Sequence, residues 1–243
     1  MKGLIYILCL LLSISSGAYS NQGTDTTALF KRLKMLRNFS GENVMKYSVK
    51  TQAFYEEQRD AFIDSMTAEV AVDHDRIRYV SEELEFIYDG RTQVTLYKAM
   101  QKMIVSNIGS SRTNVRTEES VNLSIIRQVF RNWNFIQEGT KCIIIINCID
   151  GAPYRKLEIV YDATTSLIDE VIQYLNVAVD NEDGTVTERK SIVRTQYKNY
   201  SRLPSGYTGF QTEIYYSVDN NILKAKSPYE QYEIINTSST LLK

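Results

Sequence analysis

Between Ala68 and Val105 the chain repeats one pattern: a short run of alternating apolar and polar residues, a few turn-forming residues, then another such run. Antiparallel strands laid side by side satisfy it, because a period of two sends the apolar residues to one face and turns this short leave no room for a crossover. Ala68, Val70 and Val72 alternate with Glu69, Ala71 and Asp73, and Asp73-His74-Asp75 turns the chain into Ile77-Arg78-Tyr79-Val80. Leu84, Phe86 and Tyr88 share the next face. Asp89-Gly90 supplies residue types that tolerate positive φ in a two-residue hairpin, and Val94-Thr95-Leu96-Tyr97 returns. Such a sheet is built to wrap around something apolar.

What precedes the meander is an export signal and one helix. Lys2 gives the positive end, Leu4 to Leu12 the apolar run, and Ala18-Tyr19-Ser20 a cleavage site, so residues 1–20 form a signal peptide and 21–243 a single domain of about 223 residues. The apolar run is shorter than the ~18 residues a membrane span needs, no later segment is long enough, and Cys9 lacks the small residue that should precede a lipidated cysteine. The mature protein is therefore expected to be soluble outside the cytoplasm. A formal charge of −1 gives no electrostatic case for nucleic acid. Seventeen tyrosines against one tryptophan suit an exported β-protein, since tyrosine favours pleated strands and tolerates a half-wet position.

Thr24 or Asp25 caps a helix that places Leu29, Phe30, Leu33 and Leu36 along one stripe. That stripe is either an ordinary core face or a movable cover over a cavity. Val44 to Phe54 begins the sheet, and Asn107 to Thr117 is the clearest loop. A second helical pattern starts at Glu118 or Ser120, with Val121, Ile125, Val129 and Trp133 recurring every four residues. Strands are expected again at Cys142 to Cys148, Leu157 to Tyr161, Leu167 to Val177, Val186 to Tyr197, Phe210 to Tyr216 and Ile222 to Ile234.

Few residues invite chemistry. Cys142 and Cys148 lie on one face of one strand, ~20 Å apart at ~3.3 Å per residue against a ~7 Å limit for bridging, so they read as two buried small apolar residues unless a bulge or bend intervenes. His74, the only histidine, sits in a turn between two aspartates, and no Cys/His spacing fits zinc. Glu82, Glu83, Glu85, Asp180, Glu182 and Asp183 solvate strand ends rather than forming a catalytic pair. Arg78 is more pointed: if Tyr79 faces water Arg78 faces inward, and a buried guanidinium demands a carbonyl or carboxylate partner. The alternative leaves Arg76 and Arg78 both on the wet face.

Together these features resemble the LolA family of periplasmic lipoprotein carriers and its wider superfamily of lipid-binding half-barrels. The resemblance rests on the signal peptide, the Leu29–Leu36 helix, the strand with Tyr47 and Phe54, Arg76-Ile77-Arg78-Tyr79, Phe86-Ile87-Tyr88-Asp89-Gly90-Arg91 and Leu96-Tyr97. Leu157 to Asp162 followed by Ser166-Leu167-Ile168 extends it over most of the mature chain. Tyr79 stands where the family has tryptophan, the tryptophan after the hairpin is missing, and strand material is added after Gly184.

The resemblance implies a mainly antiparallel β fold with a few helices (α+β): a strongly curved half-open β-barrel whose concave apolar face is covered by helices. It implies a carrier or binder of lipoproteins or other acylated ligands, with no chemistry, no metal and no cofactor. The groove and cover would comprise Leu29, Phe30, Leu33, Leu36, Arg78, Phe86, Tyr88, Leu96, Ile125 and Val129, with Arg78 hydrogen-bonding the helix-loop backbone to hold the cover closed. Its partners would be lipoprotein acyl chains or another lipid, an inner-membrane exporter and an outer-membrane acceptor. The alternatives are a non-enzymatic envelope scaffold or stress-sensor domain that binds a protein partner, and an exported hydrolase.

Overall fold

The computed structural model describes residues 19–36, 44–59, 61–107, 128–152, 154–180, 184–220 and 222–237. Its elements in chain order are β1 (Tyr19–Gly23), α1 (Thr26–Met35), β2 (Val44–Tyr55), β3 (Asp64–Asp73), β4 (Arg76–Ser81), β5 (Leu84–Tyr88), β6 (Thr92–Tyr97) and β7 (Lys102–Asn107). There follow β8 (Phe130–Glu138), β9 (Lys141–Cys148), β10 (Tyr154–Asp162), β11 (Ile168–Asp180), β12 (Val186–Arg202), a 3-10 turn at Thr212–Ile214, β13 (Tyr216–Asp219), β14 (Ile222–Ala225) and β15 (Glu233–Asn236).

Among the described residues, thirteen strands form one curved sheet in the order β1-β8-β9-β10-β11-β12-β2-β3-β4-β5-β6-β7-β15, and β13 pairs with β14 separately. All neighbours are antiparallel except β15, which runs parallel to β7. β1 and β15 remain as separate edges, so the sheet is not closed into a barrel. The expected cleavage after Ser20 falls inside β1, whose Tyr19 and Ser20 pair with Gln137 and Ile136.

The register sorts side chains onto two faces, because directly paired residues share a face and neighbours along a strand alternate. One face carries α1. Leu29, Phe30, Leu33 and Leu36 pack in a cluster with Met45, Tyr47, Val70, Trp133, Phe135, Ile144 and Ile159 from the sheet. The Asp25 carboxylate caps the helix by accepting the Thr27 N–H at 2.7 Å, and Arg32 and Lys34 face the negative end of its dipole. Gly23 lets β1 approach closely: a Cβ there would lie 2.7 Å from the Trp133 Nε1, which donates to the Asp25 carbonyl at 3.2 Å. The reverse face holds a second cluster, Ile87, Val94, Leu96, Met103 and Val105 with Ile234 of β15 beside them, covered by Tyr215, Tyr216, Leu223 and Tyr229 of the C-terminal segment.

Several expectations from the sequence need correction. Phe130 and Trp133 belong to β8, not to a second helix: Trp133 and Phe135 are buried with period two and pair with Ile146 and Ile144 of β9. Only Gln128 and Val129 of that stretch are helical among the described residues, and Ile125 lies outside them. The span Phe210 to Tyr216 is a 3-10 turn leading into β13 rather than a strand. Ile222 to Ile234 is split into β14 and β15 by turns around Lys226 to Tyr232. Cys142 and Cys148 are free and buried in β9, as the spacing requires. His74 sits in its turn at φ 58, with Nδ1 2.6 Å from the Asp73 carboxylate.

Candidate functional site

The helix-bearing face has two halves that differ in how far they are sealed. The register aligns Tyr47, Val70, Tyr79, Phe86, Thr95, Ile104 and Ile235 into one cross-strand row from β2 to β15. Tyr47 and Val70 are buried within the α1 cluster, whereas Tyr79, Phe86, Ile104 and Ile235 are half-buried. The floor therefore continues past the helix over five more strands, with half-buried apolar side chains on β4, β5, β7 and β15 and the buried Thr95 interrupting it on β6. Tyr88 and Leu84 flank the row on the same face, since they adjoin Phe86 at two-residue spacing in β5. Tyr88 is buried and donates its hydroxyl to the Gly90 carbonyl at 2.9 Å, which ties the row to the β5–β6 turn.

The α1 end of this face is fixed by packing and a few polar contacts. Leu29 and Leu33 are 0% exposed. Arg32 lies 3.7 Å over the Phe135 ring and reaches the Tyr161 hydroxyl at 3.4 Å.

The structure divides the expected groove residues among different surroundings. Leu29, Phe30, Leu33 and Leu36 lie in the core cluster, and Phe86 and Tyr88 lie on the same face beyond it. Arg78 and Leu96 face the other way. Leu96 is buried under the C-terminal segment, and Arg78 donates to the Glu85 carboxylate from Nε at 3.1 Å and Nη2 at 2.7 Å, and to the Tyr207 hydroxyl at 3.5 Å. The bonds of Arg78 are thus made to β5 and to the loop after β12, not to the backbone near α1. The physical reason is the phase of β4: Tyr79 pairs with Val70 on the helix-bearing face, which sends Arg78 to the reverse. Val129 is half-buried just ahead of β8, where its carbonyl accepts the Ile149 N–H at 2.8 Å.

Glu85 is the centre of the reverse-face network. It also accepts the Tyr215 hydroxyl at 2.8 Å. Burial first, and the Glu85 charge second, push the Tyr215 phenol well above the usual tyrosine range, so it stays a protonated donor. Burial works against the Arg78 cation, and the bonds to Tyr207 and Glu85 overcome that penalty and raise its pKa.

Tyr79, Ile104 and Ile235 were not singled out in the sequence. The signal for Tyr79 was present, because counting outward from the His74-Asp75 turn places it opposite Val70. None existed for Ile235, whose parallel pairing with Ile104 spans more than a hundred residues. Among the described residues no group of His, Cys, Asp and Glu could hold a metal ion, and no helix is long and apolar enough to cross a membrane.

No protein-family model matches the chain, and no curated protein matches it. Solved structures similar to it include a LolA superfamily protein from Nitrosomonas europaea, at 11% identity over 79% of this chain and 99% of that one, with a TM-score of 0.36. A conserved protein from Thermus thermophilus is 9% identical over 86% of this chain and 99% of its own, with a TM-score of 0.45. An outer membrane lipoprotein-sorting protein domain from Vibrio parahaemolyticus is 8% identical over 77% and 96%, with a TM-score of 0.33. The site described above stands on this chain's own register and burial.

Proposed function

We propose that the protein is an exported, non-enzymatic binder of acyl chains, holding a lipid or the acylated end of a lipoprotein on its helix-bearing face. The observation that carries this reading is the half-exposed row of Tyr79, Phe86, Ile104 and Ile235, which extends the sealed floor beside α1. At a strand spacing of about 4.8 Å the row from β4 to β15 runs for about 19 Å. Each methylene moved from water onto such a surface contributes roughly 0.8 kcal/mol, so binding needs a dry trough and no bond chemistry. In this reading α1, whose stripe Leu29, Phe30, Leu33 and Leu36 is buried in the core cluster, closes one end of the row. An inner-membrane exporter that loads the carrier and an outer-membrane acceptor that unloads it complete the role that the sequence resemblance implies.

A second reading has its own observation. Leu29 and Leu33 are wholly buried, so the floor beneath α1 is filled by the protein's own side chains. That favours a scaffold or sensor domain that binds a protein partner and carries no lipid.

One experiment separates the two. The purified mature protein is extracted for lipid mass spectrometry and titrated with an environment-sensitive fatty-acid probe, alongside Phe86→Asp. Carriage predicts saturable binding that Phe86→Asp abolishes without unfolding the sheet, because Phe86 is only half-buried. No extracted lipid and no saturable binding would reject carriage and leave the scaffold.

A further inference from the structure

β11 and β12 outrun the rest of the sheet. β2 pairs with β12 only as far as Tyr55 opposite Ser191, and β10 pairs with β11 only from Tyr154 opposite Leu175. Beyond those points residues 176–180 pair with 186–190 alone, five residue pairs forming a two-stranded ribbon about 17 Å long at ~3.4 Å per residue. A ribbon of two strands is marginally stable in water, and it presents backbone N–H and C=O groups along both of its edges.

The two edges are not alike. On the β12 side the base of the ribbon is occupied: the Lys190 carbonyl accepts the Glu56 N–H at 2.9 Å, and Arg189 donates to the Glu57 carboxylate from Nε at 3.0 Å while lying 3.6 Å over the Tyr55 ring. That strip also carries Glu188, Arg189 and Lys190, and charged residues keep an edge from pairing. On the β11 side the run Asn176-Val177-Ala178-Val179 has no charge and no proline, and among the described residues no strand pairs with its outer backbone. Val177 and Val179 are half-buried, and Ala178 is exposed.

We propose that this edge of β11 joins the same edge of a second copy of the chain, antiparallel, across a two-fold axis at Ala178. A centre at Ala178 uses all five free residues: Ala178 faces Ala178, Val177 faces Val179 on both sides of the axis, and Asn176 faces Asp180. No like charges stand opposite one another. The valine pairs are β-branched cross-strand contacts on the helix-bearing face, since Val177 follows Leu175 at two-residue spacing and Leu175 is in line with Ser191 and Tyr55. The same centring on the β12 edge would set Glu188 directly against Glu188. In the β11 pairing those two carboxylates are three strand spacings apart, about 14 Å, beyond the ~8 Å screening length at physiological salt. The product is a four-stranded band, β12-β11-β11-β12, in which each ribbon gains the strands it lacks. An interface this short falls below the ~1,200 Å² of standard complexes, so the dimer is a transient one. It does not depend on the acyl-chain reading.

Sedimentation velocity of the mature protein from ~1 to ~300 µM should show a reversible monomer–dimer equilibrium. Ala178→Lys, which sets like charges directly opposite at an exposed position, should weaken dimerisation about tenfold or more with circular dichroism intact. Val186→Lys adds the same charge to an exposed site on the β12 strip and should leave dimerisation unchanged. Ala178→Cys tests the register. Directly opposed residues have Cα atoms ~4.5–5.5 Å apart, within bridging range, so copper phenanthroline in air should oxidise two such thiols to one disulfide between the copies. Val186→Cys should cross-link far more slowly, and the native Cys142 and Cys148 are buried and do not compete. A protein that stays monomeric throughout the concentration range, a dimer that survives Ala178→Lys or is weakened equally by Val186→Lys, or cross-linking no faster in Ala178→Cys than in Val186→Cys would overturn the proposal.

Discussion

Arg78→Leu is the most informative single substitution, because the structure moves this residue from the gate of a ligand cavity to the clasp of the C-terminal segment. The variant loses both guanidinium bonds to Glu85, whose side chain is 9% exposed, and leaves that carboxylate with the Tyr215 hydroxyl alone. Breaking a fully buried pair by removing one partner costs about 3–5 kcal/mol, and with the Arg78 side chain 32% open to water the lower end, about 3 kcal/mol, applies. For a chain of this size 1 kcal/mol corresponds to roughly 2–4 °C, so Tm should fall by about 6–12 °C. Arg76→Leu breaks a more open pair with Asp73 and should cost no more than about 1 kcal/mol. Fatty-acid probe affinity should change little in either variant, since the half-exposed row lies on the opposite face of β4. Thermal and urea unfolding of the two variants, with probe titrations on each, measure all of this. An Arg78→Leu protein as stable as Arg76→Leu, or one whose ligand exchange changes at unaltered Tm, would refute the assignment of Arg78 to the reverse-face clasp.

Leu33→Ala should destabilise by about 2–5 kcal/mol, as for other buried leucines, and hydrogen exchange across residues 26–35 should then rise toward that of the edges. If instead exchange there is fast in the parent and slows on adding an acylated ligand, α1 is a moving cover and not a fixed wall. Because the folded state holds the Tyr215 phenol above its ordinary pKa, its contribution is complete below about pH 10 and is lost as pH rises beyond that value. Alkaline unfolding should therefore be blunted in Tyr215→Phe, and an unchanged alkaline limb would contradict the network. Cys142 and Cys148 should resist Ellman's reagent in the native protein and react once it is unfolded, since both are buried and burial pushes the Cys148 thiol up; rapid native labelling would overturn their placement.

Local pattern alone determined much of this protein. The period-two runs from Ala68 to Val105, the isoleucine strand between the cysteines, and the capped stripe of Leu29 to Leu36 each carry a complete signal within a dozen residues, and each is found where its periodicity puts it. Alternation and turn length even contained the face of Tyr79, for a two-residue turn fixes which residues lie opposite. Three things were decided only in three dimensions. Phe130 to Trp133 fits a helix and a strand about equally by sequence, and pairing with β9 resolved it, because backbone groups beside an unfilled sheet edge find partners there. The Arg78–Glu85 pair acquired Tyr207, which bonds Arg78, and Tyr215, which bonds Glu85, from segments more than 120 residues away. The half-exposed row likewise reaches its full length only because β15 returns to β7 and sets Ile235 beside Ile104. Periodicity states which side of a strand is apolar; what comes to cover that side depends on chain segments whose contact no local pattern encodes.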